Sequence, residues 1–235
     1  TVPHAQYFVQ LWTNWVEFQF YLIFPFLKLF HERYGTRYLW QLIGLLIGIR
    51  LMVFISADSV RFIAHETIFG RLDEFLCGML AGIAWCRNSQ ICKHPLHLPG
   101  ATLLVLLLLQ WFNRHGGSAN IQASYWIIWT AAEGLMWSWF LLAYLQQARA
   151  LPARLSAMLA WAGSISFSIY VMHNLVLATL RKYVPPTLWS DDVILSTVLS
   201  GGLIMLPAIV LVSAVTFWLI EQPFLDFRSS YLRDR

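Results

Sequence analysis

The chain has 235 residues, 58% hydrophobic and 16% aromatic but only 12% charged, where a soluble domain carries about 25%. That balance excludes a water-solvated globule, and a net charge of +4 spread over short loops argues against a nucleic-acid face. The three cysteines, Cys77, Cys86 and Cys92, are an odd count, two of them in or at the end of an apolar run. They read as free thiols rather than a disulfide framework.

Apolar runs recur along the whole chain, several approaching the roughly 20 residues that span a bilayer. They predict an all-α, polytopic transmembrane helical bundle of about seven helices, at about 17–30, 38–56, 71–86, 99–112, 122–145, 161–181 and 192–219. The connections, among them His31–Arg37, Arg87–Gln90 and Asn113–Ser118, are rich in turn formers or charge and too short for a second domain. Residues 1–235 therefore read as one membrane-embedded domain. The chain begins at Thr1 inside an aromatic segment, without Met or a signal-peptide pattern, and so reads as amino-terminally truncated. Placing loops on alternate sides gathers ten Lys and Arg, including Lys28, Arg87 and Arg154, against five, including Arg61 and Arg181. The richer side is expected in the cytoplasm, which leaves the amino end outside and the tail Tyr231–Arg235 inside.

Ionisable groups inside a bilayer cost several kcal/mol unless they meet a partner or a water-filled cavity, so each is a candidate site residue. In the first helix Glu17 and Tyr21 lie four apart on one face. They belong either to an interfacial aromatic belt or to a site in which Glu17 has a partner. Pro25 in the same run, and Pro207 in the last, each remove a backbone hydrogen bond and can kink their helices. Gly44 with Gly48, and Gly78 with Gly82, make small-xxx-small faces for close helix contact. Arg50 lies within the second helix. Arg71, Asp73 and Glu74 open the third, where acidic groups complement the helix dipole. Cys92-Lys-His94-Pro-Leu-His97 lacks a fourth ligand, so no metal site is expected. Glu133 sits in the fifth helix without a sequence-near basic partner, open to Arg50 or to the residues of the third helix.

In the sixth helix Ser166, Tyr170 and His173 follow the i, i+4, i+7 spacing of one face, and His173 falls near mid-span. A polar stripe at that depth suits either a packed core or a reacting site. Gly163-Ser-Ile-Ser166-Phe is not a Gly-x-Ser-x-Gly elbow and follows no strand, so a hydrolase triad is not supported. At the end of the seventh helix, Glu221-Gln-Pro223-Phe224 is expected either to cap a basic partner or simply to end the helix before Pro223. Glu221 then needs a partner, because a carboxylate is unfavourable at a helix carboxyl end.

Four of these stretches together resemble the acyltransferase family 3 membrane proteins, the group that includes bacterial O-antigen acetylases. Trp12-Thr-Asn-Trp15-Val-Glu17-Phe-Gln-Phe20-Tyr21-Leu-Ile-Phe-Pro25 is similar to the family's Trp-Ser-Leu-x-x-Glu-x-x-Phe-Tyr-Leu-x-x-Pro segment, with Thr13 and Asn14 in place of the commoner Ser and Leu. Arg71-Leu-Asp-Glu-Phe75-x-x-Gly78 is similar to Arg-x-x-x-Phe-x-x-Gly, Ser166-x-Ser-Ile-Tyr170-Val-Met-His173 to Ser-Tyr-x-x-Tyr-Leu-x-His, and Glu221-Gln-Pro223 to the closing Glu-x-Pro.

The resemblance implies ten helices with both ends cytoplasmic, of which this chain carries the last seven; the family's principal catalytic His and its Arg-x-x-Arg motif then fall before Thr1. It also implies transfer of an acyl group, most often acetyl, from acyl-CoA as donor substrate to a hydroxyl of a glycan or lipid-linked saccharide, in a bacterial inner membrane. No bound cofactor is expected. His173 and Glu17 are expected to support catalysis, with Arg71, Glu74, Tyr21, Tyr170 and Ser166 at the substrate and Glu221 structural. A transporter, or an inactive membrane scaffold if the native chain starts here, is the alternative reading.

Overall fold

The computed structural model describes residues 12–88, 90–184 and 192–227, and every regular element among them is helical. They fall into two compact units, one of residues 12–151 and one beginning at Pro152.

The first unit contains α1 (Trp12–Tyr34), α2 (Thr36–Ala57), the short α3 (Arg61–Glu66), α4 (Ile68–Arg87), α5 (His97–Arg114) and α6 (Trp129–Gln147). The α1–α2 connection predicted over His31–Arg37 shrinks to one residue, Gly35, whose φ of 75° an L side chain would resist. The fifth helix starts seven residues later than the predicted position 122. Trp126 is fully buried and donates its indole N–H to the Asn120 carbonyl at 2.9 Å, which fixes a 3₁₀ turn over Ser124–Ile127 ahead of α6. There Trp126 and Trp129 pack with Val60 and Ala64, and Phe112 stacks on Trp129 with ring centroids 4.3 Å apart. The rest of the core joins α1, α2 and α4 through Phe20, Leu39, Ile43 and Leu76, and Phe20 stacks on Phe75 at 4.1 Å.

One charged residue organises this unit. Arg50 of α2 is fully buried and donates to Asp73 of α4, to Thr130 of α6 and, at 3.0 Å, to the Gly70 carbonyl. Thr130 in turn donates to Asp73 at 3.0 Å. Three helices thus share one hydrogen-bonded ionic knot in an apolar interior, where a charge without a partner is most costly. The close approach it demands is met by Gly134, since a Cβ there would lie 2.8 Å from the Glu74 Cα. The helix dipole does not explain the acidic pair: α4 begins at Ile68, so Asp73 and Glu74 stand beyond its first turn, and each holds an arginine.

In the second unit the predicted helix 161–181 begins earlier and is broken. α7 (Ala153–Ser164) and α8 (Ser166–Leu180) meet at a bend of 62°. Two hydroxyls drive the break: Ser164 donates to the Trp161 carbonyl and Ser166 to that of Gly163, both at 2.7 Å, and so compete with the helical ladder. The last helix is continuous where an end was expected. α9 (Val193–Ser200), α10 (Leu206–Thr216) and α11 (Gln222–Asp226) are joined by π turns at Gly201–Met205 and Phe217–Glu221. Each π turn precedes a proline, Pro207 or Pro223, and its i→i+5 register makes room for a ring that cannot donate. Pro223 therefore does not terminate the helix.

Large apolar side chains remain exposed along these helices, Met52 and Ile55 at 71% and Leu219 at 72%, as expected where lipid is the solvent. Thr36–Ala57 and Leu195–Asp226 are each long and apolar enough to cross a bilayer, and the bent α7–α8 pair qualifies as a third span. The protein is an all-α integral membrane protein. Replacing Asp73 by Ala strands the buried Arg50 charge and should cost about 3–5 kcal/mol. The double variant Arg50→Met with Asp73→Leu should recover most of it. Thermal unfolding in detergent micelles distinguishes the two, and equal losses would show that the ion pair does not hold α2 to α4.

Candidate functional site

In the first unit, Arg71 and Glu74 of α4 lie one turn apart, where their side chains form a half-buried ion pair. Arg71 also faces Glu133 of α6 at 3.6 Å, and its Nε donates to the His65 carbonyl at 3.3 Å. The open question over Glu133 and Arg50 is settled by this geometry: they do not pair with each other but with Arg71 and Asp73. Two carboxyl groups around one guanidinium, beside the paired Arg50 and Asp73, offer more acceptor lone pairs than Arg71 can fill. The cluster therefore favours hydrogen-bond donors.

His65 lies in α3, outside the spanning helices. Burial, with the nearby Arg71 and Arg61 charges, holds its pKa down at about 4 instead of 6.5. Its ring meets Trp126 edge-on at 5.7 Å. A neutral imidazole is thus built into the wall behind Arg71 at physiological pH.

Glu17 and Tyr21 are not part of this cluster. On α1, Val16 and Phe20 face the core, which leaves Glu17 and Tyr21 on the exposed side, Tyr21 at 66%. Glu17 makes no ion pair among the described residues, and Arg71 takes Glu74 and Glu133 as its carboxylates. His94 and His97 are engaged locally: His94 Nδ1 accepts from the Leu96 N–H and His97 Nδ1 from the Trp139 indole, both at 3.3 Å.

The second unit carries the polar stripe of α8. His173 Nδ1 lies 2.6 Å from the Tyr170 carbonyl and 3.2 Å from that of Ile169. A carbonyl can only accept, so Nδ1 is the donor, and in the neutral ring that tautomer puts the lone pair on Nε2. The Tyr170 ring lies 6.0 Å from the His173 ring. Ser166, first residue of α8, is exposed and spends its hydroxyl on the helix break. Ser168, passed over in the stripe, is buried and donates to Glu221 at 2.8 Å. That bond gives Glu221 a hydroxyl partner in place of the basic one sought, and ties α8 to the last helix.

Sequence reasoning missed Thr130, the third member of the Arg50 knot. It stands three residues before Glu133 and four before Gly134, and that i, i+3, i+4 spacing was the available signal. A family model described as an acyltransferase domain matches residues 2–220. Among curated proteins and solved structures, none matches the chain.

A pH effect follows from His65. Because its native pKa lies below the unfolded value, its contribution is complete above about pH 6.5 and is lost as pH falls toward 4. His65→Asn should flatten thermal stability between pH 6.5 and 4.5 relative to the unsubstituted protein. Parallel curves would show that the imidazole is not held neutral.

Proposed function

The chain belongs to acyltransferase family 3, and from that membership we propose that it moves an acyl group, acetyl in the first instance, from acyl-CoA to a hydroxyl of a cell-surface glycan or lipid-linked saccharide. The observation that carries this reading is the acyltransferase match, which runs over residues 2–220. In the reaction the acceptor oxygen bonds to the thioester carbonyl carbon, the carbon–sulfur bond breaks, and the CoA thiolate leaves. A histidine takes the proton of the attacking hydroxyl and passes it to the departing sulfur. His173 supports this role, with its Nδ1 turned to backbone carbonyls and its Nε2 available as base.

Arg71 and Glu74 suit a polar acceptor, Arg71 as a fixed donor and Glu74 as an acceptor of hydroxyl protons. Tyr170 borders His173, while Glu17, Tyr21 and Ser166 present polar groups on exposed helix faces. For the donor, a cavity of about 520 Å³ between the carboxyl-terminal halves of α1 and α4 is lined by Lys28, His31 and Arg87, with Glu32 facing Lys28 at 3.8 Å. Those basic groups fit the phosphates of acyl-CoA arriving from a cytoplasmic side, in an inner membrane with the carboxyl end inside.

The test is transfer of label from [14C]acetyl-CoA to polysaccharide from the source envelope, with the full-length protein in lipid nanodiscs. His173→Ala should lower turnover on the order of a hundredfold without changing membrane insertion. Unchanged turnover would sink the His173 assignment, and solute flux without a labelled product would favour a transporter instead.

A further inference from the structure

Beside the Arg71 cluster, α4 and α6 form an open cavity of about 300 Å³ lined by Glu74, Glu133, Gly78, Trp137 and Ser138. We propose that this cavity is the acceptor subsite and takes one neutral, hydroxyl-bearing sugar ring; this rests on the acyl-transfer reading above. Three features carry it. Its two carboxylates share a single guanidinium, so acceptor capacity is left over, and O–H groups are the neutral donors that satisfy it. The Ser138 hydroxyl makes no hydrogen bond among the described residues, which leaves a donor and acceptor in the wall. Trp137 stands on the same face of α6 one turn beyond Glu133, 43% exposed, and offers a flat apolar surface for the C–H face of a ring.

The floor is shaped for an occupant as well. Gly78, expected at a close helix contact, instead has nothing within 4 Å of where a Cβ would stand. A side chain at that position would project into open space rather than into packed helices, so Gly78 leaves the room that a ring needs. Gly134 does the opposite, sealing the top of the cavity by bringing α6 against Glu74.

The experiment measures initial rates of the same [14C]acetyl transfer while envelope polysaccharide and acetyl-CoA are varied separately. Trp137→Leu, Glu133→Gln and Gly78→Leu should each raise the KM for polysaccharide at least tenfold, with the KM for acetyl-CoA held within twofold. Gly78→Ser, smaller and polar, should fall between Gly78→Leu and the unsubstituted protein. An unchanged polysaccharide KM, or a rise confined to acetyl-CoA, would overturn the subsite while leaving acyl transfer in place. If the unsubstituted protein releases no CoA at all, the function itself fails and the subsite with it. A diazirine-bearing methyl glycoside gives a reading independent of turnover. It should label the peptide containing Trp137 and Ser138, and label found only elsewhere would count against the site.

Discussion

An arginine in the middle of an apolar helix must find a carboxylate, and much of the first unit follows from how Arg50 does so. Its guanidinium is planar and presents several donors at fixed angles, so one side chain can bind Asp73, Thr130 and the Gly70 carbonyl together. Those partners lie on α4 and α6, and satisfying them sets the rotation of both helices about their axes. Once Asp73 faces Arg50, Arg71 and Glu74 on the neighbouring strip of α4 face Glu133 of α6. The charged cluster is thus a consequence of the knot beside it. Lysine at position 50, a single ammonium on a flexible stem, would fix the same charge but not the same orientation.

Backbone irregularity in the second unit obeys the same accounting. A broken helix in lipid must find other partners for its freed carbonyls. At the α7–α8 bend the hydroxyls of Ser164 and Ser166 supply them. In the last helix the two prolines are absorbed by π turns, and the chain runs on. The first device yields a bend of 62°, the second a continuous span. The difference lies in whether the helical ladder is replaced by side chains or only re-registered.

This contrast also explains what could be read in advance. Apolar length alone located seven runs, because burial in lipid makes hydropathy a strong signal. It could not show where a run bends, since Ser164 and Ser166 are neutral in hydropathy and act through local geometry. Pro223 looked like a terminator because the usual rule assumes an α-helical register. Arg50, Asp73 and Glu133 were legible as buried charges needing partners, but the choice among them depends on which helices pack together. That information is long-range: Arg50 meets Thr130 eighty residues away. Thr130 itself carried no charge to draw notice, although it completes the pattern with Glu133 and Gly134.

The two arginines of the first unit show why proximity in sequence is a poor guide to role. Arg50 is sealed, its terminal nitrogens held by Asp73, Thr130 and the Gly70 carbonyl, and a group so enclosed cannot exchange protein partners for a ligand without unpacking three helices. Arg71 is only half-buried, divided between two carboxylates and the His65 carbonyl. Burial therefore separates the charged residues that hold the helices together from the partly exposed Glu74 and Glu133, which line the cavity between α4 and α6.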